Sequence, residues 1–487
     1  RRIKMAVFFV LIAVLLLLLL VMIFRAALGK KAPAPGVFDA RSLDKYAGAE
    51  EKLAKLVRIP TVSRFDPIEE DGAMFKLLEA EVSALFPMVS ERLLRLDAGD
   101  RAMLFEWPGK NAKLKPVILM AHYDVVPPGD DSLWQRHPFS GDIADGYIHG
   151  RGTQDIKIMF SGALEAANRL LAEGFVPERT IYLAFGGDEE VGGNRGAASI
   201  AGLLKERGVT ASWLLDEGGF VSNGMLSFAD RPLALVGVAE KGYVDVAISA
   251  KGKGGHASMP PKHTAAGQVA KAVALSETKR FPSKITATLA HFLESLSPYV
   301  PFAYRLLFRN LLITGPLVRA AFSASPSTNA LVRTTTAATM LSASDKENVL
   351  PDKARAVLNV RILPGSNVAA TMARIDSLAS KAGARADFAH HGFAVEPLPE
   401  SPVDHEGYRN IEARIKAVFP EAGTVPFMFT AGTDTKHYVD ITEGMYRFTP
   451  MVQGPEDLGG VHGANEKISV ENYLRTVMFY EELIKNA

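Results

Sequence analysis

Cysteine is absent from the 487 residues. That excludes disulfides and thiolate metal sites, so any zinc would have to be held by histidine and carboxylate. Neither sign of charge predominates: 55 Lys and Arg face 54 Asp and Glu, a formal net charge of +1, which leaves no global field to gather nucleic acid. The G-x-S-x-G elbow, the Walker-type loop and the H-E-x-x-H helix are also missing, removing the usual motifs of serine hydrolases, P-loop nucleotidases and helical zinc proteases. No internal repeat occurs. At 48% hydrophobic and 22% charged, the chain can bury ample core, and its length predicts two or three folded units.

One unbroken apolar run is present. Met5 to Phe24 is long enough to cross a ~30 Å hydrocarbon core as a helix, and it exceeds the ~7–15-residue apolar region of a cleaved signal peptide. Residues 5–24 therefore read as a transmembrane signal anchor, with secretion after cleavage as the alternative. Arg1, Arg2 and Lys4 precede the run and Arg25, Lys30 and Lys31 follow it, so flanking charge sets its orientation only weakly. Residues 25–42, with the stretch KKAPAPG, read as a linker. The remainder is expected outside the cytoplasm, periplasmic or extracellular.

Beyond the linker the pattern is α/β. From Leu43 to Asp230 apolar strand candidates (Ala102 to Glu106, Val117 to Ala121, Thr180 to Phe185, Ser212 to Leu215) alternate with helical stretches (Ala47 to Val57, Met74 to Phe86, Ser161 to Glu173), as in βαβ units around a largely parallel sheet. After Pro232 the texture changes. Tyr243 to Ala250 alternates at period two, and Thr334 to Leu341 and Ala354 to Ile362 are further strands, which predicts an inserted α+β domain. The expected division is 43–240 and 399–487 for one domain and 241–398 for the insertion. The last segment carries a strand at Met445 to Pro450 and a helix at Val470 to Asn486. Within the insertion, Ile285 to Ala324 is rich in Leu, Phe and Tyr. Helices packed at a subunit or domain interface explain it, and so would a surface that touches a bilayer or lines an acyl-chain pocket.

Chemistry concentrates at strand ends. In PVILMAHYDVVP, His122 and Asp124 stand where the apolar run Val117 to Ala121 stops, and ligands bind at the carboxyl ends of such strands in open α/β sheets. A carboxylate two residues beyond a histidine can orient the ring while the ring holds a metal; a polar loop histidine is the plain alternative. Three more strand candidates run into acids: GRGTQDIK places Asp155 in a glycine-rich turn, IYLAFGGDEE ends in Glu189 and Glu190, and SWLLDEGG ends in Asp216. Singly, each has an ordinary reading as a helix cap or a solvated loop acid. Adjacent carboxylates such as Glu189 and Glu190, however, repel unless a cation or a shared proton offsets them. His462, in GGVHGANEKIS, sits between glycines that let backbone approach a ligand. Two histidines and three carboxylates make a nitrogen and oxygen ligand set for a pair of Zn²⁺ ions sharing one carboxylate, with one glutamate left over. Such a free carboxylate can take a proton from water and pass it to a leaving amine.

The motifs AHYDVVP, GRGTQDIK, GGDEEVGG, LDEGG, GKGGHAS, NVRILPG, GTDTK and VHGANEKIS resemble those of the dinuclear zinc exopeptidases, the family of aminoacylase, carboxypeptidase G and carboxypeptidase S. The resemblance runs from about Leu43 to Ala487. Through AEKG, SPSTNALVRTTTA and HGANEKIS it is closest to the carboxypeptidase S branch and its secreted animal relative, the N-fatty-acyl-amino-acid synthase/hydrolase. It implies a zinc-exopeptidase catalytic domain with a mostly parallel central sheet and an inserted ferredoxin-like lid and dimerisation domain. It implies that His122 and Asp216 bind one zinc, that Glu190 and His462 bind the other, and that Asp155 bridges them. Asp124 would orient His122, and Glu189 would be the general acid/base. His256, in GKGGHASMPP, would reach the neighbouring subunit's site in a homodimer and donate a hydrogen bond to the oxyanion. Asn348 and Arg361 would engage the substrate carboxylate or the intermediate, and Gly432, Thr433 and Asp434 would line the substrate site.

The expected reaction is hydrolysis, or in reverse synthesis, of an amide next to a free carboxylate, with an N-acyl amino acid as substrate. A carboxypeptidase or dipeptidase acting on short peptides is the alternative within the class. A catalytically silent, membrane-tethered binding module is the alternative from another class, and the intact ligand and base set argues against it. Two Zn²⁺ per chain are expected, though His and carboxylate sites also accept Co²⁺ or Mn²⁺.

Overall fold

The computed structural model describes residues 2–29, 31–389 and 394–487. Arg1 and Lys30, two of the basic residues flanking the apolar run, lie outside the described residues. The run itself forms one continuous helix, Arg2–Ala27, whose apolar side chains are almost all exposed.

A ten-stranded sheet organises the chain. Its centre is parallel: Val117–His122 lies between Ile181–Gly186 and Trp213–Asp216, parallel to both, and Met445–Arg447 continues the order, parallel to Trp213–Asp216. The edges are mixed. Ala102–Trp107 pairs antiparallel with Ile181–Gly186, while Leu233–Glu240 takes Gly423–Phe429 in parallel and Val221–Ser222 antiparallel. The period-two alternation of a strand divides the central one between two cores. Val117, Leu119 and Ala121 enter the cluster formed with helices Lys157–Ala172 and Val470–Lys485, and Ile118 and Met120 enter the cluster with Ala197–Glu206. Because both faces are covered, the strand is apolar without a break, and truncating Leu119 to alanine would cost roughly 2–5 kcal/mol.

A second, antiparallel sheet contains Thr335–Ser342, Lys353–Ile362, Gly242–Lys251 and Arg385–Phe388 in that order. Helices Ala265–Thr278 and Val368–Lys381 cover one face with a core of small and branched residues. Among the described residues its outer strand, Thr335–Ser342, is paired along one side only, and Met340 and Leu341 on it are exposed.

Most predicted and observed elements agree within a residue or two; the helix expected from Ser161 begins four residues earlier, at Lys157, and two further differences stand out. The strand expected at Met445 to Pro450 stops at Arg447, because Phe448 and Thr449 donate instead to Asp216 and Gly219 carbonyls and Pro450 has no N–H to give. Helices Ala287–Leu296, Phe302–Phe308 and Leu311–Phe322 fall inside the expected insertion, yet their core is shared with Leu233, Leu235, Val425 and Met428 of the large sheet. Of the readings the sequence allowed for this apolar stretch, packing against the large sheet accounts for its buried side.

Candidate metal centre

The parallel strands deliver their carboxyl ends to one edge, and there His122 is the last residue of its strand. The ring's Nδ1 faces Asp124, 3.1 Å from its carbonyl oxygen and 3.2 Å from Oδ1. That leaves Nε2 to look outward, 3.1 Å from Asp155 Oδ1 and 3.4 Å from Glu217 Oε1. Asp124 is fully buried and does more than hold the ring. Its Oδ1 accepts from the Glu189 N–H at 3.1 Å, and its Oδ2 accepts from the Glu190 N–H at 3.2 Å and the Ser63 hydroxyl at 2.7 Å. One carboxylate thus fixes both the histidine and the turn that carries the two glutamates.

Asp155 stands between two histidines. Oδ1 faces His122, and Oδ2 lies 3.0 Å from His462 Nε2, which is itself 3.2 Å from Glu190 Oε2. His462 adopts a left-handed backbone, φ 58°, uncommon for a non-glycine residue. Two further observations explain how residues 307 positions apart in sequence are held together. The strand Lys467–Ser469 pairs antiparallel with Tyr147–His149, drawing the two loops side by side. Glu466, fully buried, then accepts from the N–H groups of Gly152 (3.0 Å), Gln154 (2.7 Å) and Asp155 (3.3 Å) and from Arg151 Nη1 at 2.6 Å.

The expected residues His122, Asp124, Asp155, Glu189, Glu190 and His462 therefore come together. Asp216 does not join them as expected. No oxygen of Asp216 lies within 4.0 Å of a His122 ring nitrogen, and its place is taken by Glu217. The strand ends at Asp216, which pairs in register with Arg447, and the chain turns away at Gly218, φ 135°. The next residue, with its longer arm, is the one that reaches the histidine. Both acids stand in LLDEGG, and which of two adjacent carboxylates faces the histidine is decided by side-chain direction at the strand end.

Thr433 is also placed, though indirectly. Its N–H and hydroxyl donate to the buried Glu240 at 3.2 and 2.9 Å, and Glu240 is paired with the buried Arg447 at 2.8 Å. Gly432 adjoins the same carboxylate, which lies 3.8 Å from where a Cβ would stand. Asp434 is buried, and its Oδ1 accepts no hydrogen bond among the described residues but lies 3.9 Å from Lys436 Nζ. His256, Asn348 and Arg361 belong to the small domain and contact none of the cluster. The Ala257 N–H donates to the Asn348 carbonyl at 3.0 Å, His256 Nδ1 lies 2.8 Å from Ser258 Oγ, and Arg361 stacks 4.7 Å over Tyr243.

The electrostatics are those of carboxylates crowded out of water. Burial, and then the charge of Glu217, push Glu189 well above the usual carboxylate range. Burial raises Glu217 to about 8 against the pull of His122. His462 is raised to about 10, chiefly by its hydrogen bonds to Asp155 and Glu190. Asp155 goes the other way: burial would raise it, but both histidines hold it below the normal value. Cations among these groups would relieve the repulsion between the carboxylates. A divalent ion fits on two grounds: the donors are all imidazole and carboxylate, and Glu190 Oε1 is buried with no hydrogen-bond partner. His122, Asp155 and Glu217 would hold one ion, and His462, Asp155 and Glu190 the other.

The sequence and the fold are similar to those of known proteins. A family model described as "Peptidase family M20/M25/M40" matches residues 118–486. N-fatty-acyl-amino acid synthase/hydrolase PM20D1 of Mus musculus is 38% identical over 452 residues, covering 92% of this chain and 89% of its own. Probable carboxypeptidase S-like 2 of Dictyostelium discoideum is 34% identical over 440 residues, covering 90% and 84%. Among solved structures, an M20 family metallo-carboxypeptidase from Sulfolobus solfataricus superposes with a TM-score of 0.66 at 19% identity, covering 90% of this chain and 98% of its own.

Proposed function

The chain belongs to peptidase family M20/M25/M40, and from that premise we propose that it is a two-zinc hydrolase of N-acyl amino acids, able to run the reaction in either direction. It is a metallohydrolase of amide bonds; the acyl substrate, the zinc and the count of two are the proposal. The observation that carries it is Asp155, whose two oxygens each meet a different histidine, at 3.1 and 3.0 Å. A carboxylate so placed serves as a bridge.

When bound, the cations would supply Lewis acidity at the scissile carbonyl and lower the pKa of water. The residues supply the rest. Glu189, on the turn that Asp124 fixes, takes a proton from the attacking water and returns it to the departing nitrogen. Thr433 lines the substrate site on the loop that Glu240 holds. Arg361 and Asn348 bind the free carboxylate, and His256 stabilises the oxyanion of a second copy's site. The exposed outer strand Thr335–Ser342, with Met340 and Leu341 bare, supports a homodimer through the small sheet. The helix Ile3–Ala27, of mean hydropathy 3.6, supports a membrane anchor.

The relatives named for carboxypeptidase S keep a peptidase reading alive. Rates on a long-chain acyl-phenylalanine and on a blocked dipeptide separate the two readings. We expect the acyl substrate to win in kcat/KM, and a strong dipeptide preference would refute the acyl assignment.

A further inference from the structure

The helices Phe302–Phe308 and Leu311–Phe322 form a surface that is inside out for a water-soluble protein. Leu311–Phe322 buries Thr314, Gly315 and Val318 and exposes Leu312, Ile313, Pro316, Leu317 and Ala320, residues that fall on one helical face. Leu312 is 93% exposed and Leu317 59%. The buried Thr314 hydroxyl is satisfied internally, donating to the carbonyls of Leu307 and Asn310 at 2.6 and 2.9 Å. Phe302 and Tyr304 extend the apolar surface from the preceding helix. A face of this kind marks a binding surface, and two observations identify its occupant.

The first is continuity with the long apolar helix. The last turns of Arg2–Ala27 pack against these same helices through Met22, Ala26 and Gly29, spaced to share one side and less exposed than their neighbours. Asn310 Nδ2 donates to the Met22 carbonyl at 3.2 Å, and a Cβ at Gly29 would lie 1.4 Å from Arg309 Nη1. Phe24, Arg25 and Leu28 line a cleft of about 540 Å³ together with Phe308, Leu311 and Leu312. If the apolar helix crosses a bilayer, these residues sit where it emerges. The second observation is charge. From Ser295 to Ser344 the sequence contains Arg305, Arg309, Arg319 and Arg333 and not one Asp or Glu, a composition suited to anionic lipid headgroups.

We propose that the exposed face of Phe302–Phe308 and Leu311–Phe322 lies in the interfacial layer of the membrane, with Leu312, Ile313 and Leu317 among the acyl chains and Arg309 and Arg319 at the phosphates, Arg305 and Arg333 being engaged by protein oxygens. This rests on the reading of residues 3–27 as a membrane anchor. The contact is a second attachment beside the anchor and holds the large sheet close to the leaflet. A long-chain acyl amino acid partitions into the same layer, so the surface brings the enzyme to its substrate.

The absence of native cysteine makes the test direct. Single variants Leu312→Cys, Leu317→Cys, Val14→Cys and Ile68→Cys of the full chain are labelled with an environment-sensitive dye. They are reconstituted in vesicles of phosphatidylcholine and phosphatidylglycerol carrying bromine on the acyl chains. Ile68, exposed on an unrelated loop, is the aqueous reference, and Val14 reports the anchor. The labels at 312 and 317 should lose roughly half of their emission, as for side chains seated ~5–10 Å into the headgroup boundary, while the label at 68 is unchanged. Quenching at 14 without quenching at 312 and 317 would overturn the proposal and leave the anchor standing. Quenching at neither place would overturn both. Quenching at 312 and 317 but not at 14 would remove the anchor and so overturn the proposal of a second attachment beside it. A blue shift at 312 without bromine quenching would identify a protein partner and overturn the lipid assignment.

Discussion

Glu466→Ala should damage the site without touching a single proposed ligand. The carboxylate accepts four hydrogen bonds: one from Arg151, which is itself 1% exposed, and three from the backbone N–H groups of Gly152, Gln154 and Asp155. Removing it leaves a buried guanidinium without its partner, which costs about 3–5 kcal/mol, and strands three N–H groups at ~1–3 kcal/mol each before water enters the cavity. These terms overlap, so the expected total is about 4–6 kcal/mol. The double variant Arg151→Met/Glu466→Met separates them. It removes the charge pair, an exchange that is often close to neutral, but leaves the backbone donors stranded, so roughly 2–3 kcal/mol of the loss should persist. Urea midpoints at constant slope report the differences, and the fluorescence of Trp134, whose ring lies 5.4 Å from the Arg151 guanidinium, follows the loop itself. Metal content should fall in Glu466→Ala, since the turn that aims Asp155 is no longer held. A loss under about 1 kcal/mol in Glu466→Ala, or full recovery in the double variant, would show that the carboxylate does not fix this turn.

Other changes probe the assigned roles. Glu189→Gln should lower kcat by about 10²–10⁴-fold with bound metal unchanged by elemental analysis, whereas chelation should abolish turnover in the wild type until Zn²⁺, Co²⁺ or Mn²⁺ is restored. Glu217→Gln should reduce metal content and Asp216→Asn should reduce it much less, as read by titration of metal-free protein; the reverse order would reinstate Asp216 as ligand. Glu189→Gln and His256→Ala, each nearly inactive alone, should recover about a quarter of wild-type turnover when their subunits exchange at random in a two-fold dimer. No recovery under exchanging conditions would place His256 outside the partner's site.

Much of the site was legible because its groups stand at the ends of strands that apolar runs announce. His122 closes VILMAH, Glu189 and Glu190 follow IYLAFG, and Asp216 closes WLLD. Those strands are buried on both faces, so their limits show in the sequence to within a residue. What was not legible depends on side-chain direction or on distant pairings. The choice between Asp216 and Glu217 turns on which way one residue points as its strand ends. Glu466 gave no sign of its role, because its partners at positions 151–155 are brought to it only by the pairing of Lys467–Ser469 with Tyr147–His149. Glu240 and Arg447 are likewise joined across 207 residues of sequence. A buried ion pair leaves no periodic trace.

The small sheet poses a problem that the metal cluster does not. His256, on the two-stranded ribbon Gly255–His256/Val349–Leu350, and Asn348 beside it lie together, away from the cluster, and some movement or a second copy must bring them to a substrate. The chain crosses between the sheets at Glu240–Gly242 and returns beside it, where the Leu398 N–H donates to the Glu240 carbonyl at 3.2 Å. A hinge would have to run through this junction. Yet Glu240 is tied to Arg447 and Thr433 of the large unit, while Lys241 Nζ donates to the carbonyls of Ala330 and Arg333 and to the Thr335 hydroxyl, at 3.1, 3.0 and 3.3 Å. Gly242 has no room to turn freely either, since a Cβ there would lie 2.6 Å from Pro397 N. Swinging the small sheet far enough to carry His256 to its own chain's cluster would strain or break several of these buried bonds, at ~1.5–3 kcal/mol for each that involves a charged group. Delivery from a second copy would leave these bonds intact, and for that reason the subunit-exchange experiment bears on the mechanism as much as on the assembly.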